Sequence, residues 1–110
     1  MEVSKISEAK AVEIKPGRTR RILHTDHLMM VVFEFTDGPA AMPDPPHTHP
    51  HEQVTYAAEG EVLFFIGEES RRLAPGDMVA VPPGLPHTIQ LLTPRVRLVD
   101  AFTPLRQEFL

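Results

Sequence analysis

A row of potential metal ligands stands near the middle of the chain. Three of the six histidines, His47, His49 and His51, fall within five residues, and Gln53 follows two residues after them. Histidine is the commonest protein ligand of transition metals. Alternate residues of a strand share a face, but successive members of this row would be about 6.6 Å apart, too far for bonds of about 2.1 Å to one ion. A metal site therefore requires a bend, for which Pro50 is suited, or leaves one member out.

The alternative interpretation is that the row is a polar loop that follows the proline-rich stretch PDPP and binds nothing. A further candidate is His87, which follows a turn in VPPGLPH (Val81 to His87). His87 could complete a metal pocket if a separate strand carried it to the row. The chain has no cysteine, so any metal would be held by nitrogen and oxygen ligands.

A second group with chemical potential lies near the C-terminus. The stretch RVRLVDAF (Arg95 to Phe102) alternates, so that Asp100 and Phe102 share a face with apolar residues. If that face lines a core, Asp100 is a buried carboxylate, which is costly without a partner. It could pair with an arginine for stability, lie on a frayed strand that faces water, or serve as an acid–base group near the metal. Arg106 could grip an acidic substrate or neutralise Asp100 or Glu108.

The elements that must position these residues are predicted to be strands. Twelve prolines leave little room for long helices, and short apolar segments separated by Gly/Pro turns are typical of an all-β sandwich or barrel. IGEESRRL is predicted to be a hairpin, and APGD (Ala74 to Asp77) a type II turn. The segment Ser4 to Ile14 is predicted to be an extended arm. The predicted strands span residues 28–35, 61–66, 77–82 and 95–102.

Composition narrows the class of protein. The chain has 110 residues, a formal charge of −4 and one basic cluster, GRTRR (Gly17 to Arg21), which we expect to be a solvated strand edge. Nucleic-acid binding would need a clustered basic surface. No apolar run approaches the ~18 residues of a membrane span, and the N-terminus lacks a signal-peptide pattern. We therefore expect one soluble, cytoplasmic domain that binds neither nucleic acid nor membrane, with Tyr56 packed in its core.

Two stretches match the conserved motifs of the cupin superfamily in order and spacing. The first motif, His-x-His, three or four residues, Glu, six residues, Gly, is matched by His47, His49, Gln53 and Gly60. The second, Gly, five residues, Pro-x-Gly-x-x-His, is matched by Gly76, Pro82, Gly84 and His87. The resemblance implies an all-β double-stranded β-helix, a small barrel of two antiparallel sheets around a metal. By position it assigns the metal ligands as His47, His49, Gln53 and His87.

Gln53 stands where most cupins have glutamate. Because glutamine is neutral, a divalent ion would keep its full charge of +2 and favour an anionic ligand. Imidazole and oxygen ligands suit a divalent transition metal, Ni, Zn, Mn, Fe or Co, without selecting one.

The C-terminal pattern Asp-x-Phe-x-Pro-x-Arg-x-x-Phe-Leu, together with the two motifs, resembles the KdgF family. These small cupins linearise 4,5-unsaturated monouronates in pectin and alginate breakdown. The resemblance implies that Asp100, Phe102 and Arg106 act beside the metal on an anionic sugar, within a single cupin domain (1–110, with an arm over 1–20 and a core over 28–102). By analogy with small cupins, we expect a homodimer paired through its N-terminal strands. The alternatives are another metal-dependent cupin enzyme, such as a dioxygenase or isomerase, and a non-catalytic small-molecule-binding barrel.

Overall fold

The chain is almost entirely β-structure, as predicted. The computed structural model describes all 110 residues. The only helical segment is a 3-10 turn at Gln107–Phe109. The nine strands are β1 (Val12–Lys15), β2 (Arg18–His24), β3 (Met29–Phe35), β4 (Glu52–Glu59), β5 (Val62–Ile66), β6 (Glu69–Leu73), β7 (Met78–Val81), β8 (His87–Leu91) and β9 (Val96–Thr103).

The strands form two antiparallel sheets that face each other. One sheet has six strands in the order β1-β2-β3-β9-β4-β7, and the other has three in the order β6-β5-β8. The main apolar cluster draws Phe35 and Leu98 from the first sheet and Val62, Phe64 and Leu91 from the second. Side chains of both inner faces thus share one core, and the predicted two-sheet barrel of the cupin type is confirmed.

The four strands predicted from apolar runs are present, each within one residue of its expected ends. The predicted hairpin is β5–β6, which closes between Ile66 and Glu69. In the predicted type II turn, the Asp77 amide donates to the Ala74 carbonyl at 3.0 Å. Gly76 has the positive φ, 99°, that the third position of this turn requires.

Strand β4 follows the histidine row and has its polar side chains inside. Gln53, Thr55 and Ala57 are buried, whereas Val54 and Tyr56 point outwards. Tyr56 is 44% exposed, so the prediction that it packs in the core is wrong. The reason is parity: once Gln53 and Thr55 face the interior, the residues between them must face out.

The first eleven residues form no strand, and all four residues of β1 are exposed at the edge of the six-stranded sheet. β1 pairs with β2 of the same chain. No helix in the structure has the length and apolar character needed to cross a membrane.

Candidate metal centre and pocket

Three histidines from two parts of the chain converge between the sheets. The His47 and His87 backbones form an isolated bridge, with hydrogen bonds of 3.1 and 3.0 Å, which ties the histidine loop to the start of β8. The ring nitrogens of His47, His49 and His87 approach one another within 4.8 Å. The chain bends at Pro50 and His51 before β4 begins, which is the bend that the sequence required. These three histidines can therefore hold a metal ion.

Gln53 adjoins this cluster with its amide oxygen. His49 Nε2 and Gln53 Oε1 lie 2.9 Å apart, and Gln53 Nε2 donates to Thr55 Oγ1 at 2.9 Å. The hydrogen bond to Thr55 fixes the orientation of the amide, so the oxygen faces the histidines. Adjacent ligand atoms on an octahedral ion with bonds of about 2.1 Å lie about 3 Å apart. The spacing of His49 Nε2 and Gln53 Oε1 fits that requirement.

The histidine nitrogens are prepared to act as ligands. His87 Nδ1 donates to the Leu85 carbonyl at 2.9 Å, which leaves the lone pair on Nε2. His87 Nε2 and His49 Nδ1 are both buried without a hydrogen-bond partner. Partial burial, then the neighbouring His87 and Arg106, lowers the pKa of His47 to about 4. Burial also lowers the pKa of His49. The neutral imidazoles that result are the form that binds metals, so the residues present fit a divalent ion with nitrogen and oxygen ligands.

Asp100 lies in the interior, on β9 between β3 and β4. It is 8% exposed, and its Oδ1 accepts a hydrogen bond from Thr55 Oγ1 at 2.6 Å. Its Oδ2 lies 3.5 Å from Gln53 Nε2. Burial raises the pKa of Asp100 to about 7, against the lowering effects of the Thr55 hydrogen bond and the Arg106 charge. Asp100 thus forms no ion pair with an arginine and does not lie on a frayed strand, which excludes two of the three interpretations of the sequence.

Arg106 and Phe102 lie at one side of the cluster. Arg106 Nε donates to Glu108 at 2.7 Å, so in this structure the arginine neutralises Glu108 and not Asp100. Its guanidinium carbon is 5.1 Å from the centroid of Phe102 and 4.2 Å from that of Phe109. Phe102 is 1% exposed and presents its ring at a steep angle to His49, with centroids 5.7 Å apart. Phe102 therefore supports both His49 and Arg106.

A cavity of about 340 Å³ opens onto this cluster. Its walls include six of the seven site residues expected from the sequence: His47, Gln53, His87, Asp100, Phe102 and Arg106. The seventh, His49, does not line the cavity but contacts Gln53, which does. The structure thus brings all the expected site residues together.

The expectation that GRTRR is a solvated strand edge is wrong for two of its arginines. Arg18 and Arg20 line the cavity, and the Arg18 side chain is 11% exposed. Arg18 bonds Asp37 at 3.0 Å and Asp44 at 2.6 Å, which compensates its burial. The alternation of side chains along a strand could have indicated this position, because Arg18, Arg20 and Ile22 share a face of β2.

Two further residues have roles that the sequence left open or did not reveal. His51 lies outside the metal cluster, and its Nε2 donates to the Leu105 carbonyl at 3.2 Å, which ties the C-terminal segment to the histidine loop. Thr55, which joins Gln53 to Asp100, was missed. Its parity with Gln53 on a common strand is the signal that could have found it.

Comparisons with known proteins agree with this architecture. The cupin domain family matches residues 33–101. The pectin degradation protein KdgF of Dickeya dadantii (strain 3937) is 34% identical over 100 residues, covering 89% of this chain and 88% of that protein. The structure of KdgF from Halomonas sp. superposes with a TM-score of 0.86 at 32% identity, covering 96% of both chains. An RmlC-like cupin from Shewanella frigidimarina NCIMB 400 superposes with a TM-score of 0.89 at 31% identity, covering 100% of this chain and 96% of that one.

The family match, the extent of these relatives and the two-sheet barrel lead to one assignment. The chain belongs to the cupin family and, within it, to the small cupins that include KdgF.

Proposed function

We propose that the protein is a metal-dependent enzyme that linearises 4,5-unsaturated monouronates, opening the cyclic sugar acid to a linear keto-uronate. The observation that carries the proposal is a buried carboxylate, Asp100, joined through Thr55 to an amide beside the three-histidine cluster. A carboxylate whose pKa is moved towards neutrality, next to a metal-binding cluster in a cavity, is the arrangement that acid–base catalysis requires. The similarity to KdgF proteins supports the choice of substrate class.

In this proposal His47, His49, Gln53 and His87 hold one divalent ion, Ni, Zn, Mn, Fe or Co. A bound ion supplies Lewis acidity towards the oxygens of the sugar. The neutral amide of Gln53 leaves the charge of such an ion undiminished, which favours an anionic ligand. Thr55 and Phe102 act as positioning residues, because one orients the Gln53 amide and the other packs against His49.

The cavity is suited to a single sugar acid. Its volume of about 340 Å³ lies at the lower end of the range for small-molecule pockets. Arg106 reaches its wall with Nε committed to Glu108 and both terminal nitrogens available to a carboxylate. Phe102 and Phe109 beside it keep water from that side of the pocket.

Asp100 transfers the proton in the proposed reaction. The carboxylate accepts the proton of the hemiacetal hydroxyl as the bond between C1 and the ring oxygen breaks, so that C1 becomes an aldehyde. The enolate left across C4, C5 and the former ring oxygen then takes a proton at C4 and becomes a ketone at C5. One proton leaves oxygen and one arrives at carbon, so the sum is an isomerisation without another reactant. Asp100 suits this exchange because a pKa near the working pH lets it both accept and return a proton.

The proposal is tested by supplying 4,5-unsaturated galacturonate or mannuronate and following the absorbance of the conjugated double bond. Decay faster than the spontaneous rate is expected with wild-type protein. Asp100→Asn should retain fold and metal but lose about 10²- to 10⁴-fold in turnover, as is typical for a general acid–base residue. Asp26→Asn, in an exposed turn, is the matched control.

The same experiment distinguishes the other classes of protein. Wild-type turnover equal to the spontaneous rate refutes the proposed reaction. Unchanged decay together with tight binding of the sugar would then indicate a non-catalytic barrel, and consumption of dioxygen would indicate a dioxygenase. Full activity in Asp100→Asn would refute the proton-transfer role alone.

We also propose that the protein is a homodimer. The outward face of the six-stranded sheet is an apolar patch in which Tyr56 pairs with Met78 and Val54 with Ala80 across neighbouring strands. Exposed apolar patches of this kind mark interaction sites. The Arg21–Glu34–Arg97 ion network at its side has both charge signs, so the surface suits a second copy of itself. This face supports a dimer, whereas pairing through the N-terminal strands stays a prediction, with β1 at the edge of its sheet.

Light scattering should therefore give twice the chain mass for the wild type and the single mass for Met78→Glu. Ser70→Glu on exposed β6, in the other sheet, should leave the mass unchanged. A wild type that is still monomeric at protein concentrations of about 100 micromolar would contradict the dimer.

A further inference from the structure

One arginine on the cavity wall has no partner. Arg20 lies on β2 opposite Phe33, and its side chain lines the cavity. Its guanidinium forms no salt bridge and no hydrogen bond, and its Nε is buried. A charge that is partly removed from water without a partner is costly, so its presence at a cavity wall indicates a function.

The other two arginines of the cavity are neutralised within the protein. Arg18 bonds both Asp37 and Asp44, and Arg106 bonds Glu108. Arg20 is thus the one cavity arginine whose guanidinium makes no hydrogen bond or salt bridge within the protein.

Arg20 and Arg106 lie beside the same aromatic ring. Their guanidinium carbons are 4.5 and 4.2 Å from the centroid of Phe109. Phe109 is the last residue of the C-terminal 3-10 turn and lines the cavity. Cation–π contact with the ring holds both guanidinium groups in place. Both arginines also line the same cavity, so an anion bound there is attracted by two positive charges.

We propose that Arg20 is the principal binding residue for the carboxylate of the ligand, with Arg106 as its second donor. This inference rests on the proposed function for the identity of the ligand as a sugar acid. It differs in assigning the anion to a residue of β2 in addition to the C-terminal segment. Arg20 offers the planar fork that binds carboxylates in a bidentate manner, whereas the Nε of Arg106 is already engaged by Glu108.

The test measures binding of two sugars that differ in one carboxylate. Calorimetry of the metal-loaded protein with D-galacturonate and D-galactose would compare the wild type, Arg20→Met, Arg20→Lys and Arg71→Gln. Methionine keeps an apolar stem against Phe109 without the charge, and lysine keeps the charge without the fork. Arg71 is exposed on β6 and serves as the control for a lost surface charge. Metal content and melting temperature would be measured for every variant.

The wild type should bind galacturonate more tightly than galactose. Arg20→Met should weaken galacturonate binding about 10- to 100-fold, because a charge-assisted hydrogen bond is lost, with galactose binding and metal content unchanged. Arg20→Lys should lose less, and Arg71→Gln nothing. If Arg20→Met does not fold, the selective loss for galacturonate in Arg20→Lys decides.

Equal weakening for both sugars would mean that Arg20 only packs against Phe109, and unchanged galacturonate binding would equally overturn the proposal. Its failure is separable from that of the proposed function. Selective loss of galacturonate without turnover of an unsaturated uronate would keep the anion site and reject the reaction. Turnover of the unsaturated uronate with a KM unaffected by Arg20→Met would keep the reaction and reject the anion site.

Discussion

Replacing Thr55 by valine removes the hydroxyl that joins Gln53 to Asp100 while keeping a side chain of similar shape. Thr55 is 2% exposed, so no bulk water can take the place of its oxygen. The change deletes the 2.6 Å bond to Asp100 and the 2.9 Å bond from Gln53. The Gln53 amide then retains only the 3.5 Å contact with Asp100 and loses its fixed orientation.

The size of the effect follows from these two bonds. A hydrogen bond to a charged group contributes about 1.5–3 kcal/mol, which corresponds to about 10- to 150-fold in an equilibrium or rate constant. Loss of groups that orient metal ligands typically costs 10–100-fold in metal affinity or activity. We therefore expect Thr55→Val to bind metal about 10-fold less tightly and, once saturated with metal, to turn over at least about 10-fold more slowly.

The assay is a competitive metal titration against a chromogenic chelator, followed by turnover of the unsaturated uronate at saturating metal. Thr55→Ser keeps the hydroxyl and should restore both quantities. Thr93→Val removes hydrogen bonds to Glu61 and Arg95, in a turn away from the cavity, and controls for a general loss of stability. Unchanged affinity and turnover in Thr55→Val, or failure of serine to restore them, would show that the Thr55 hydroxyl does not position the Gln53 amide.

Two further substitutions test the electrostatics of the site. Gln53→Glu should hold metal at least as tightly as wild type, because it adds a negative ligand. It should bind galacturonate more weakly, because the carboxylate lowers the positive charge of the metal site and cannot donate to Thr55. Calorimetry that finds equal or tighter galacturonate binding would contradict this. In metal-free protein, the folded state holds the Asp100 proton more tightly than the unfolded chain, because the pKa rises from 3.8 to about 7. The stabilisation is therefore complete below pH 4 and is lost as pH rises to 7. As pH rises from 4 to 7, the unfolding free energy of Asp100→Asn should therefore increase relative to that of the wild type by about 4 kcal/mol, measured by urea titrations. A difference between the two proteins that does not vary with pH would contradict the raised pKa of Asp100.

Alternation within strands made part of this site predictable. The pattern of β9 fixes the face that Asp100 and Phe102 share, and the observed burial of alternate residues from Val96 to Phe102 agrees with it. Parity alone did not determine which members of the histidine row converge, because the bend at Pro50 and His51 lies in a loop. The resemblance to cupins supplied that choice before the structure brought the side chains together.

Other features depend on residues distant in sequence and could not be inferred locally. Arg18 tolerates the interior because Asp37 and Asp44 meet it from a separate loop. Tyr56 was expected in the core, but β4 directs Gln53 and Thr55 inwards, which leaves Tyr56 on the outer face. In both cases the face of the strand that points inwards is the one that lines the polar cavity, and this cavity forms only when the two sheets pack together.

In the proposed reaction the metal cluster and Asp100 together open an unsaturated uronate. The most direct measurement follows the C4 vinylic proton of 4,5-unsaturated galacturonate by NMR, with chelator-stripped protein and after addition of one equivalent of each candidate divalent ion. With stripped protein the signal should decay at the spontaneous rate, and at least one ion should restore rapid conversion to the linear keto-uronate. Conversion that is equally fast without metal, or never faster than in buffer, would contradict it.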